Sequence, residues 1–159
     1  HIDYTSLGDV IARSVAVKEY FVLNDPTEKN IRKALNLGHT VGHAFESFAL
    51  NRSKPVLHGY AVAYGLIPEL YLSSRKLGFP LEETQKIAKW ILDTYGPFPI
   101  NEADFETLYQ KMTRDKKNEA GRINFTLVPE IGKVEINIDC EKDRIFEALD
   151  YFKNLHAGR

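Results

Sequence analysis

The chain has 159 residues, 43% hydrophobic and 27% charged, with 21 Lys and Arg against 22 Asp and Glu for a net charge of -1. This is the composition of one soluble domain large enough to bury a core, and its near-neutral balance excludes a non-specific nucleic-acid binder. The single cysteine, Cys140, excludes an internal disulfide framework and fits a reducing, cytoplasmic compartment, and no apolar run approaches the roughly 20 residues of a membrane span.

The chain starts His1-Ile-Asp-Tyr, without Met or a signal-peptide pattern. It therefore reads as a piece of a longer protein, with residues 1–159 forming a single domain. Leu7, Ile11, Val15 and Val22 recur at helical spacing, with Ser6 as a cap and Asn24-Asp25-Pro26 as the stop. A second helix is expected from Thr27 or Glu28 to about Leu50. Inside it Gly38 and Gly42 each cost about 1 kcal/mol relative to alanine. Two such costs in one segment imply that a backbone or a ligand comes close there. A third helix is expected from His58 to Leu77, kinked or broken at Pro68. Leu81 to Tyr95 predicts a fourth, with Ile87, Trp90, Ile91 and Tyr95 on one stripe. Asp104 is placed to cap a short fifth helix ending near Met112, before a charged loop over 114–121. The period then changes to two: Ile123, Phe125 and Leu127, then Val134, Ile136 and Ile138, predict a β-hairpin with one buried face. A final helix over 141–155 turns Ile145, Leu149 and Phe152 inward. The expected fold is mainly α, a multi-helical domain carrying one small antiparallel hairpin.

On a continuous second helix, Arg32, Asn36, His39 and His43, spaced by 4, 3 and 4 residues, share one face. Val41, Phe45 and Phe48 lie on the neighbouring, core-facing side with Leu35. Polar stripes facing solvent are common, but they are usually built of Lys, Glu, Gln and Ser. Histidines four apart can hold one zinc ion from a single helical turn. His58 at the start of the next helix adds a third imidazole, which the positive helix end keeps neutral and able to bind metal. Read alone, His58 is equally a simple helix-start residue. Lys18 on the apolar side of the first helix fits a snorkelling lysine, and Lys116 and Lys117 fit a solvated loop. Together, Arg, Asn, His and Lys beside a divalent metal suit a small acidic substrate.

The segment Leu35-Asn-Leu-Gly-His-Thr-Val-Gly-His-Ala44, followed by Leu57-His-Gly-Tyr-Ala-Val-Ala-Tyr-Gly65, closely resembles the 3-dehydroquinate synthase family. Val17-Lys18 with Arg32, and Arg114-Asp-Lys-Lys-Asn118 ahead of Gly121, extend the resemblance over essentially the whole chain as that enzyme's C-terminal helical domain. The resemblance implies an NAD-binding domain upstream and an active site in the cleft between the two domains. It implies the conversion of 3-deoxy-D-arabino-heptulosonate 7-phosphate to 3-dehydroquinate and phosphate, in the shikimate pathway of aromatic amino acid biosynthesis. It also implies a cytoplasmic enzyme, homodimeric at full length, with no nucleic-acid or membrane partner. His39 and His58 match two zinc ligands, the third being an upstream Glu. His43 matches an active-site histidine that assists proton transfer. Lys18 and Arg32 match groups on the substrate carboxylate, and Asn36 with Lys116 or Lys117 match groups near the phosphate.

The chain departs from the family at Tyr60, where Glu is usual, and in the length of the 51–55 loop. It contains no Gly-rich dinucleotide fingerprint. No carboxylate stands out as a third ligand, although Glu46, seven residues after His39, can approach the same face. The chain alone is expected to be inactive. The rival expectations are another sugar-phosphate cyclase or a metal-dependent polyol dehydrogenase, and, in a different class, a non-catalytic helical interaction module.

Overall fold

The computed structural model describes residues 4–114 and 123–155. Its contacts divide the chain into two units, one running to Leu35 and one starting at Asn36.

The first unit holds α1 (Tyr4–Asn24) and the turn that follows it. Ser6 lies inside the helix rather than capping it. The stop at Asp25 is as expected, and the Asp25 side chain explains it. Its carboxylate accepts the backbone N–H groups of Lys29 at 3.1 Å, Asn30 at 2.6 Å and Arg32 at 3.1 Å. Those donors are thereby withdrawn from any helix beginning at residue 27 or 28. A 3₁₀ segment, Ile31–Asn36, forms instead.

Burial by itself would raise the Asp25 carboxyl, but the three N–H donors and the Arg32 charge outweigh it and hold it below the usual carboxylate range. A carboxyl lowered by folding stabilises above its unfolded value and loses that contribution as pH falls through the folded one. The turn is therefore expected to persist down to about pH 4 and to loosen only below it. Titration of the Asp25 carboxyl by NMR, followed with the Asn30 and Arg32 amides, checks this. A midpoint at or above about 3.9 would contradict it.

The second unit is built around α3 (His58–Leu77), against which α2 (His39–Asn51), α4 (Leu81–Tyr95), α6 (Lys142–Asn154) and β1 (Asn124–Leu127) pack. α5 (Phe105–Thr113) lies against α2 and α6. The helix α3 runs unbroken through Pro68. One backbone bond is missing there, and the burial of Ile67, Leu70 and Leu72 on either side offsets it. The core joins Phe45, Ile67, Leu72, Ile91, Leu108, Met112, Phe125, Leu127, Ile145, Leu149 and Phe152. Each such side chain contributes about 1.5–3 kcal/mol when fully buried.

Trp90, expected on the inner stripe of α4, is 62% exposed, whereas Ala88, Ile91 and Leu92 are buried. Asp104 does not cap α5 with its side chain; it accepts the N–H of Asn101 at 2.8 Å, closing a one-turn 3₁₀ segment ahead of that helix. β1 pairs antiparallel with β2 (Glu135–Asp139), with a register shift between Phe125 and Leu127. Thr126 is buried along with its neighbours, so β1 is covered on both faces, while β2 alternates between exposed and half-buried residues. Among the described residues no helix is long and apolar enough to cross a membrane.

Candidate metal and substrate centre

The second unit brings three imidazoles together from two helices. His39 and His43 stand one turn apart on α2, and His58 is the first residue of α3. Their ring centres are 5.5 Å (His39 to His43), 5.5 Å (His39 to His58) and 5.6 Å (His43 to His58) apart.

Glycine makes this approach possible. Gly42 faces α3 so closely that a β-carbon there would meet the Val62 Cα at 2.9 Å and the Ala61 carbonyl oxygen at 3.1 Å. From the other side, a β-carbon on Gly65 would meet the Gly42 nitrogen at 2.5 Å and the Gly38 carbonyl oxygen closer still. Of the backbone or ligand expected to come close there, it is the α3 backbone that does.

Gly38 is not inside a helix. Its φ of 82° is left-handed, and it forms the N-cap of α2. The side chain that caps is Glu69 of α3, fully buried, whose two oxygens accept the N–H groups of Gly38 at 2.5 Å and Val41 at 2.9 Å. A carboxylate there satisfies orphan donors and meets the positive end of the helix. These two devices end the 3₁₀ segment and start α2. Arg32, Asn36, His39 and His43 therefore do not share one continuous helix, and only the two histidines keep the expected one-turn relation.

The other predicted residues are placed as follows. Lys18 is exposed on α1. Arg32, in the first unit, donates to the Pro26 carbonyl at 3.1 Å and lies 3.9 Å from the Glu28 carboxylate. Asn36 is half-buried at the start of the second unit. Lys116 and Lys117 lie outside the described residues. Tyr60 packs edge-on against Tyr95 with ring centres 4.8 Å apart.

Two acidic residues take part: Glu69, which the sequence reading missed, and Glu46, which it noted only as able to approach the His39 face. The only signal of the capping Glu69 was an acid within the apolar run from Ile67 to Leu72. The Oε2 of Glu46 lies 3.1 Å from the Nδ1 of His58.

The donor set can be tested against a divalent cation. An ion holding two imidazole nitrogens at about 2 Å in tetrahedral geometry sets their ring centres roughly 5 Å apart, close to what is observed. His39 Nδ1 lies 3.2 Å from the Leu37 carbonyl oxygen, an atom that only accepts. In the neutral ring Nδ1 therefore carries the proton, and Nε2 keeps the lone pair a metal needs. Yet among the described residues no set of three or more His, Cys, Asp or Glu side chains is arranged to hold a metal ion. The residues fit part of a metal site, short of at least one donor.

A helical domain with a small hairpin and paired imidazoles on two glycine-locked helices is the class of protein these features define. The family model described as 3-dehydroquinate synthase C-terminal matches residues 1–118. The chain belongs to the 3-dehydroquinate synthase family, through its C-terminal domain. It is 47% identical over 152 residues to the 3-dehydroquinate synthase of Parabacteroides distasonis, covering 96% of this chain and 43% of that protein. It is 40% identical over 159 residues to that of Alkaliphilus oremlandii, covering 96% and 42%. The chain thus spans about two fifths of the length of the relatives it matches. In fold it is similar to a 2-deoxy-scyllo-inosose synthase solved with carbaglucose-6-phosphate, NAD+ and Co2+. That match has a TM-score of 0.71 at 22% identity, covering 94% of this chain and 41% of that one.

Proposed function

We propose that this chain is the metal- and substrate-binding half of a 3-dehydroquinate synthase, acting on 3-deoxy-D-arabino-heptulosonate 7-phosphate in the shikimate pathway. The observation that carries the reading is the imidazole triad at 5.5–5.6 Å on the matched segment. In this reading an N-terminal domain binds NAD and supplies the carboxylate that completes the metal site. The full-length enzyme works as a cytoplasmic homodimer. Zinc or another divalent cation, when bound, polarises a substrate oxygen.

The residues of this chain have separate tasks. His39 and His58 each present a ring nitrogen to the cation. His43, about one ring spacing from both, exchanges a proton with the substrate hydroxyl oxygen, within the usual range of imidazole acid–base work. Lys18 and Arg32 hold the carboxylate, where a planar guanidinium fork suits two oxygens. Asn36 and one of Lys116 or Lys117 hold the phosphate. The carboxylate-binding pair is what favours this substrate over a neutral sugar phosphate.

The test is phosphate release from the acidic heptulosonate phosphate, measured on this chain alone and on the full-length enzyme with NAD and zinc. The chain alone is expected to be inactive and the full-length enzyme active. Turnover by the chain alone, or a full-length enzyme that processes only neutral sugar phosphates, would overturn the reading.

A further inference from the structure

The geometry points to Glu46 as a positioning residue for the metal centre: its carboxylate holds the proton of His58 on Nδ1, so that Nε2 is the atom presented to the cation. This rests on the metal-site reading above and adds to it a residue that the motif comparison left without a task.

The two imidazoles proposed as ligands are held differently. His39 stands on α2, where the Leu37 carbonyl of its own chain segment accepts a hydrogen bond from its Nδ1. His58 is the first residue of α3, preceded by Leu57 in extended conformation. Its side chain is 54% exposed. In water a neutral imidazole distributes between two ring orientations and two tautomers unless a neighbour selects one. A partner that only accepts settles both choices at once.

Glu46 is that partner. Its Oε2 stands 3.1 Å from His58 Nδ1. It sits on α2 three residues after His43 and seven after His39, spacings that put it on the face the two histidines share. An ionised carboxylate cannot donate, so Nδ1 does. The glycine contact between α2 and α3 fixes the distance across which the pair forms. Both proposed ligands then have Nδ1 tied to an oxygen and Nε2 left with its lone pair, one through the backbone and one through a replaceable side chain. The carboxylate also makes the ring a stronger donor to the metal.

The experiment uses the full-length enzyme with 15N-labelled histidine, stripped of metal, above the range in which imidazole titrates (about pH 8.5). His58 is assigned by loss of its signals in His58→Gln. Long-range 1H–15N spectra read which nitrogen carries the proton. Cobalt(II) titration reads affinity. Wild type is expected to show the Nδ1–H form at His58. Glu46→Ala is expected to shift it toward Nε2–H and to weaken cobalt binding about 10–100-fold. Glu46→Gln keeps an accepting oxygen and is expected to retain the tautomer, with a loss of less than about 10-fold.

An Nε2–H form in wild type, or an unchanged tautomer in a folded Glu46→Ala, would overturn the positioning role. Loss of cobalt binding in Glu46→Ala without a tautomer change would do the same, making Glu46 a direct ligand instead. A wild-type enzyme that carries the Nδ1–H form but binds no cobalt would overturn the metal-site reading, and the role of Glu46 with it.

Discussion

Alanine at His39 or His58 is expected to weaken zinc or cobalt binding by more than about 100-fold, beyond the 10–100-fold typical of residues that only support a ligand. Each substitution removes one of the two ring nitrogens proposed to hold the cation, from a site already short of a donor among the described residues. His43→Ala separates the roles. Its ring is as close to His58 as His39 is, at 5.6 Å against 5.5 Å, so proximity alone does not distinguish them. If His43 moves a proton and does not hold the cation, its removal leaves metal affinity within about 10-fold of wild type. Turnover should still fall by about 100-fold or more, the usual cost of losing acid–base assistance. Isothermal titration of zinc into the three variants, with phosphate release measured alongside, checks the assignment. Equal loss of metal in His43→Ala and His58→Ala would transfer the ligand role to His43.

Gly65→Ala is expected to destabilise the second unit by about 3 kcal/mol or more, lowering Tm by roughly 6–12 °C. The added methyl has no room. It would stand 2.5 Å from the Gly42 nitrogen, and the obstructing atoms on α2 are backbone, which cannot swing aside as a flexible side chain can. Relief requires α2 and α3 to separate, which also draws Gly38 and Val41 away from the buried Glu69 carboxylate. A buried carboxylate losing its donors adds a penalty of its own. Because the same separation pulls His58 from His39 and His43, metal affinity should fall together with stability. Gly59→Ala, where the methyl would meet nothing within 4 Å, is the control and should cost nothing measurable, since alanine suits a helix better than glycine. Thermal unfolding of the two variants decides the point. A Gly65→Ala protein as stable as Gly59→Ala would mean that the helix pair tolerates a wider spacing.

Much of this architecture was legible without coordinates. The bounds of α3 and α4 follow from their flanking Pro and Gly residues, and the switch to period two announced the hairpin. The repeated glycines near the histidines implied that a backbone or a ligand comes close, and the structure shows it is a backbone. Where the reading erred, local pattern competed with a distant partner. A continuous helix from residue 27 is reasonable by periodicity, but Asp25 takes its first donors and Glu69, far along the chain, caps a new start at Gly38. Trp90 fits the inner stripe of α4 by spacing, yet the face that packs is set by where α3 lies.

The same division holds for the site. Residue types and their spacing determined that two histidines share a helical turn and that a third opens the next helix, because those relations depend only on the period of the helix. Tertiary structure alone decided that the third imidazole joins the other two, that a buried glutamate anchors the helix carrying them, and that Glu46 meets His58. Those outcomes depend on how closely two helices approach and at which residues they cross. That is a matter of steric fit between side chains distant in sequence, and no local period encodes it.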